Sequence, residues 1–443
     1  MDGPTGASAR QSDAAASDAA PAIGRTAIVD RYRAVRAATL ALAAGLSPED
    51  AQIQSMPDAS PAKWHLAHTA WFFETFLLQP LAPGYKAFDP AFGYLFNSYY
   101  EAVGPRHARP QRGLITRPSL DQVRAYRAHV DAAMAMLIEA LDVESWAKAA
   151  PLIELGLNHE QQHQELILMD IKHAFSCNPL EPAYQDRRFA PTGPAATLGW
   201  VAFDGGLRRI GHEETGFAFD NEGPRHKVWL EPFALADRPT TAGDYLAFIA
   251  DGGYQRPEFW LSDGWAAVQR NGWTAPLYWR EDEGDGWSVF TLSGRRPLHA
   301  AEPVCHVSFY EADAFAHWAG ARLPTEAEWE VAAEGQRTAE GEHFGFVEDG
   351  ALHPGPASAE EPGLRQMLGH TWEWTSSAYL SYPGFRPAAG AVGEYNGKFM
   401  SGQMVLRGGA CVTPRDHLRP TYRNFFPPEA RWAFSGIRLA RDA

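Results

Sequence analysis

The string NHEQQHQEL, residues 158–166, places His159 and His163 four residues apart. On a helix that spacing stacks both imidazoles on one face, one turn apart, where they can reach a single metal ion. The same string satisfies H-E-x-x-H, in which two histidines bind zinc and the intervening glutamate is the general base of a metalloprotease. Against the hydrolase reading, the residues between the histidines are the polar Gln161 and Gln162, where a protease helix buries apolar side chains. No strand is predicted beside this helix to bind a peptide.

At about 100° per residue, Glu160 lies about 100° from His159, and Glu165 about 200° beyond His163. Neither carboxylate easily joins both histidines at one ion, so a third ligand must come from another helix. His65 and His68, in WHLAHTAW, are the candidates. Three imidazoles give a neutral ligand set with open coordination positions, which suits Fe(II) or Zn(II) and not the oxygen-seeking Mg or Ca.

The elements that must hold these residues read as helical over residues 25–178. Helices are predicted at 28–44, at 62–78 with Ser60 as N-cap and Pro61 at the first helical position, from the Ser119 cap to 141, and at 151–175. The last carries a stripe of Leu152, Leu155, His159, His163, Leu166 and Asp170. Four long helices suggest an up-and-down bundle. The connection over 81–118, containing FNSYYEAVGPRHARPQRG, is long for a compact domain and reads as functional. Residues 1–24 read as a disordered Ala/Ser/Asp-rich tail, 179–199 as a Pro/Gly/Ala-rich linker, and 200–443 as a second, irregular α+β domain with two convincing helices, at 242–249 and 311–318. The fold class expected is α+β.

The apolar fraction of 45% and the 15 Trp, 15 Tyr and 24 Phe supply large cores and exclude wholesale disorder. A net charge of −15 argues against nucleic-acid and anionic-membrane partners. No apolar run reaches the roughly 18 residues that a membrane span needs. Cys177, Cys305 and Cys411 are too few and too scattered for a disulfide framework and fit a reducing compartment. The N-terminus has neither the basic nor the apolar region of a signal peptide. A cytoplasmic location is the expectation.

GHEETGFAFDNEGPRHKVWLEPF, PTTAGDYLAFIADGGY, PVCHVSFYEADAFAHWAGARLPTEAEWEVAA, GHTWEWTSS and VLRGGACVTP resemble segments of the formylglycine-generating-enzyme (sulfatase-modifying-factor) family, and RLPTEAEWE is highly specific. That resemblance implies a loop-rich, C-type-lectin-like fold. Cys305 and Cys411 do not match the cysteine pair through which copper-using members activate oxygen, and they read as buried small residues. Joined to a DinB-like four-helix bundle carrying HxxxHxE, the chain resembles the sulfoxide synthases of ergothioneine biosynthesis over nearly its whole length. The resemblance implies non-haem Fe(II) held by His68, His159 and His163, with His65 one position too early. It implies O2 as co-substrate, with hercynine and L-cysteine or γ-glutamylcysteine as substrates, joined by a carbon–sulfur bond at the imidazole C2 with oxidation of the sulfur.

Other positions carry over one at a time. Tyr99 and Tyr100 match a tyrosine pair of one branch, where a phenol beside the reacting oxygen can donate a proton or hydrogen atom; loop packing is the plainer alternative. Arg109 and Arg112 suit a carboxylate, which guanidinium binds bidentately. Gln162 and Asn424 match positions that contact hercynine, and Phe425 can face its quaternary ammonium. Relatives that use γ-glutamylcysteine read N-W-D where this chain reads Asn424-Phe425-Phe426; the missing acid favours the branch accepting free cysteine. Competing readings are a zinc hydrolase on HEQQH, a non-catalytic binding protein, and the ovothiol-pathway synthase, whose chains usually carry an additional methyltransferase domain.

Overall fold

The computed structural model describes residues 24–187, 195–213, 215–284, 286–334, 345–358, 363–388, 390–394 and 396–443. Apart from Gly24, the tail expected at 1–24 lies outside the described residues, as does the 188–194 part of the expected linker.

Four long helices form the first half: α1 (Arg25–Leu42), α2 (Ala62–Phe73), α3 (Leu120–Ala140) and α4 (Val143–Ser176). Two start signals differ from the sequence expectation. Ser60 does not cap α2, because its hydroxyl accepts from Arg112 Nη1 at 2.9 Å and Pro61 takes the N-cap position. Helix α4 begins eight residues before Pro151, at an Asp142 cap that accepts from Ser145 N. Pro151 forfeits one backbone hydrogen bond, but buried Ala149 and Ile153 on either side hold the helix together.

The packing is not a simple up-and-down bundle. Helix α4 packs against α1 and α2, and α3 packs against α2 and more loosely α1. The order around the bundle is therefore 1-4-2-3, with chain neighbours α1 and α2 across from each other. The contacts of α4 explain this. One face meets His68 of α2 through His159 and His163, while Glu160 on another face pairs with Arg36 of α1 at 2.8 Å.

In the second half, the strands in chain order are β1 (Trp200–Phe203), β2 (Gly206–Ile210), β3 (His226–Leu230), β4 (Phe233–Ala236), β5 (Trp279–Asp282), β6 (Gly286–Thr291), β7 (Gly294–Pro297), β8 (Trp372–Ala378), β9 (Met404–Arg407), β10 (Asn424–Phe426), β11 (Ser435–Gly436) and β12 (Ala440–Asp442). They form sheets β1-β4-β12 and β10-β9-β8-β11, a β2-β3 hairpin and a β5-β6-β7 meander. Helices α5 (Ala242–Ala250), α6 (Ser262–Asn271), α7 (Phe309–Trp318) and α8 (Glu326–Ala333) lie between them. The composition is α+β. Capping boxes start α5, α7 and α8. Helices α6 and α8 were not among those expected; α8 carries the Thr325-x-x-Glu328 capping box, whereas α6 has no side-chain cap. The core gathers Trp329, Trp372, Trp374 and Phe434 with buried Arg407 and Arg438, which pair with Glu330 and Glu373. Pairing of Asn424, Phe425 and Phe426 with Leu406, Val405 and Met404 sets β10 at the edge of its sheet, facing the bundle.

Nearly every residue of α4 from Gly156 to Phe175 is buried, because the second domain covers the side that the bundle leaves open. Gln161 Nε2 donates to Asp416 (2.6 Å), Gln162 Nε2 to Tyr422 Oη (2.6 Å), and Lys172 Nζ meets His306 Nε2 (2.7 Å). Glu165 accepts from Trp372 Nε1 and Thr413 Oγ1, each at 2.6 Å. The two glutamines between the histidines are polar because they face this interface. Among the described residues no helix is long and apolar enough to cross a membrane.

Candidate metal centre and substrate cavity

His68 projects from α2, and His159 and His163 from α4. Their ligand atoms all lie within 4.8 Å of one another, and all three residues are buried. His159 Nε2 and His163 Nε2 face each other at 3.0 Å. The other nitrogen of His68, Nδ1, is held by the carbonyl of Phe96 at 2.6 Å, which leaves its Nε2 for the cluster. Burial keeps all three imidazoles neutral: His159 is pushed down to about 3, and His68 and His163 go well below the usual histidine range. Neutral nitrogens converging in this way fit a divalent transition metal, and the remaining nitrogens of His68 and His163 are held by hydrogen bonds, as in a metal's second shell. His65 does not join the cluster. Its Nδ1 meets His163 Nδ1 at 2.7 Å and its Nε2 meets Asp170 Oδ2 at 3.0 Å.

Glu160 points away from the histidines. It is fully buried between Arg36 (2.8 Å) and Arg127 (2.7 Å), and although burial alone would raise its pKa, the two guanidiniums hold it down to about 2. The H-E-x-x-H reading thereby loses its general base. Glu165, by contrast, lines the cavity beside the histidines; burial pushes its carboxyl up to about 7, against the bonds from Thr413 and Trp372.

A cavity of about 210 Å³ opens onto His159 and His163 between the two domains. Its walls include Tyr99, Arg109, Arg112, Gln162, Asn424 and Phe426. A second space of about 250 Å³ adjoins it and is lined by Phe425, Phe399, Asn221, Asn396 and Trp432. The sequence-predicted residues divide accordingly. Tyr99 faces the metal-side cavity. Tyr100 does not: it packs behind, against Trp71 and Phe76 at 5.6 and 5.3 Å. Phe425 stacks on Tyr379 at 4.0 Å and faces the adjoining space. Asn424 Oδ1 accepts from Phe425 N. Phe426 packs edge-on to Trp432 at 5.5 Å and presents no polar group to the cavity.

The electrostatic anomaly is Arg112. The residue is 4% exposed, and its guanidinium carbon lies 3.4 Å from the Trp64 ring centroid. It donates to the Ser60 and Ser98 hydroxyls at 2.9 and 3.3 Å, and Nε has no hydrogen-bond partner. Among the described residues no carboxylate is within ion-pair distance. Burial, with Arg109 nearby, pulls its pKa well below the usual range. A buried cation so placed is a ready site for a ligand carboxylate.

Sequence reasoning missed Trp64, Asp170 and Tyr422. Asp170 stands seven residues from His163, about two turns along the same face, and the helical stripe already contained it. Trp64 and Tyr422 act through contacts between distant segments and carried no local signal. Cys305 and Cys411 are buried, Cys177 is exposed, and all three are free.

A family model described as the DinB superfamily matches residues 31–167, and one described as the sulfatase-modifying factor enzyme 1-like domain matches 189–443. A hercynine oxygenase of Mycolicibacterium thermoresistibile is 34% identical over 425 residues, spanning 89% of this chain and 90% of the relative. That of Mycolicibacterium smegmatis is 33% identical over 451 residues, spanning 95% and 100%. A formylglycine-generating enzyme of Thermomonospora curvata is 29% identical over 296 residues, spanning 55% of this chain and 93% of the relative.

Proposed function

This chain belongs to the hercynine oxygenase family, and we propose that it is an Fe(II)- and O2-dependent sulfoxide synthase joining L-cysteine to hercynine. In the reaction the imidazole C2–H and the thiol S–H are replaced by a C–S bond. One oxygen atom of O2 ends on sulfur, and the other leaves as water with both hydrogens. The four electrons come from the two substrates, so no external reductant is needed. The observation that carries the reading is the three-histidine cluster opening onto a cavity that also holds a buried guanidinium with no carboxylate partner among the described residues.

His68, His159 and His163 would hold the iron, which when bound supplies the one-electron chemistry that lets O2 react with a thiol. Arg112, with Arg109 beside it, takes the cysteine carboxylate. Gln162 and Asn424 flank the hercynine position, and Gln162 is itself oriented by Tyr422. Phe425 and Phe399 offer ring faces to the quaternary ammonium. Tyr99 holds a phenolic proton at the cavity wall, and burial raises its pKa so that the proton is present at neutral pH. The apolar Phe426 favours cysteine over γ-glutamylcysteine. Three free cysteines suit a reducing compartment and support a cytoplasmic location.

The test is anaerobic loading with Fe(II), then O2 with hercynine and L-cysteine, with products read by mass. The expected product is hercynylcysteine S-oxide, lost in His68→Ala together with iron. Zinc as the bound metal, or no metal at all, overturns the reading in favour of a hydrolase or a binding protein.

A further inference from the structure

Asp170 and His65 form a hydrogen-bonded chain that ends on one of the clustered histidines. His163 Nε2 faces the cluster. A neutral imidazole then carries its proton on Nδ1, which donates to Nδ1 of His65 at 2.7 Å. His65 carries its own proton on Nε2 and donates to Asp170 Oδ2 at 3.0 Å. The same carboxylate oxygen accepts from the backbone N–H of Ser60 at 2.8 Å. All the tautomers follow from one choice at His163, and the chain closes without a donor facing a donor. His65 is 2% exposed and Asp170 6%, and both line the cavity between the domains.

We propose that His65 and Asp170 are positioning residues for the metal, forming a carboxylate–imidazole–imidazole relay that fixes the ring of His163 and raises its basicity as a ligand. The proposal rests on the iron reading above. A second-shell carboxylate usually reaches a ligand histidine directly; here an intervening imidazole carries the same polarisation one residue further. His68 is held differently, by a backbone carbonyl, whereas the relay ties His163 to a charged group. Ser60 couples the relay to the substrate side, since its hydroxyl takes the Arg112 guanidinium while its N–H holds Asp170.

The experiment measures Fe(II) affinity of the full chain by competition with a chromophoric chelator, and the electron paramagnetic resonance spectrum of the nitric oxide adduct. His65→Leu removes both bonds. Expected are a 10- to 100-fold loss of affinity, a changed rhombicity of the adduct, and unchanged one-to-one stoichiometry at saturation. His65→Gln, whose amide can accept from His163 and donate to Asp170, should recover most of the affinity. Asp170→Asn should fall between and remains informative if His65→Leu does not fold. Wild-type affinity and spectrum in both His65→Leu and Asp170→Asn overturn the proposal. Loss of all binding in His65→Leu, equal to that in His163→Ala, also overturns it by making His65 a ligand. If the native chain binds no Fe(II) and His68→Ala changes nothing, the iron reading itself has failed.

Discussion

Replacing Arg112 by leucine should cripple thiol use while leaving the substrate-free protein as stable as before, or more so. Taking a cation of this size out of water costs several kcal/mol even after relaxation. What offsets that cost here is limited. The Trp64 face at 3.4 Å returns about 2 kcal/mol. The two bonds from the charged guanidinium to serine hydroxyls contribute about 1.5–3 kcal/mol each. No carboxylate completes the set among the described residues, so the guanidinium is close to break-even in the free protein. A cysteine carboxylate changes that. A hydrogen bond to a charged group is worth about 1.5–3 kcal/mol, which at 1.36 kcal/mol per decade is roughly 10- to 150-fold in kcat/KM. The assay pairs kcat/KM for L-cysteine at saturating hercynine with urea unfolding in the absence of substrates. Arg112→Lys should recover only part of the rate, since an ammonium cannot reproduce the bidentate geometry. If Arg112→Leu keeps its kcat/KM but loses more than about 2 kcal/mol of stability, the residue is structural and the carboxylate assignment is wrong.

Tyr99→Phe should slow carbon–sulfur bond formation and divert product toward cysteine sulfinate at unchanged iron content, whereas Tyr100→Phe, behind the cavity wall, should do less; equal product ratios in wild type and both variants would reduce Tyr99 to packing. Glu160→Gln leaves Arg127 buried without its counter-ion and Arg36 with Asp131 alone (2.7 Å), and should cost about 3–5 kcal/mol in urea unfolding. Because the folded carboxyl sits at about 2 against 4.5 for the ordinary group, this contribution is fully present above pH 4.5 and lost as pH falls toward 2; the gap between wild type and variant should close over that window. In a head-to-head assay L-cysteine should exceed γ-glutamylcysteine by about 30-fold or more in kcat/KM, since the extra carboxylate and amide meet Phe426 unpaired at about 1–3 kcal/mol each, and Phe426→Asp should narrow the difference. A better rate with γ-glutamylcysteine rejects the thiol assignment and leaves the oxygen chemistry standing.

What the chain reveals in one dimension is periodic or local. The four-residue spacing of His159 and His163, the Ser119 cap and the capping boxes of the second domain are all of that kind. So is the α+β division at the change from helical periodicity to Gly- and Pro-punctuated segments. Three features were hidden for stated reasons. Ser60 has the look of a cap, but its hydroxyl is claimed by an arginine 52 residues away. Pro151 has the look of a helix start, but the true cap is Asp142. The 1-4-2-3 order depends on buried charges meeting across the bundle, and pairings such as Arg36 with Glu160 leave no spacing signal. The site shows the same divide: the histidines share a helix, whereas Trp64 under Arg112 and Tyr422 on Gln162 exist only once the domains have closed on each other.

Helix α4 also works as a ruler. Among its polar contacts with the second domain are four, at Gln161, Gln162, Glu165 and Lys172, spread over about three turns and reaching toward different partners. Sliding the domains past one another by a single residue, about 1.5 Å along the axis, would break all four contacts together, and each orphaned group would cost about 1–3 kcal/mol. Greasy surfaces tolerate such slippage; this toothed one does not. The same helix carries His159 and His163, so the notches that index one domain on the other also set the distance from the histidines to the β10 wall. Drift accumulated elsewhere in either domain is thereby kept out of the gap where two substrates must meet.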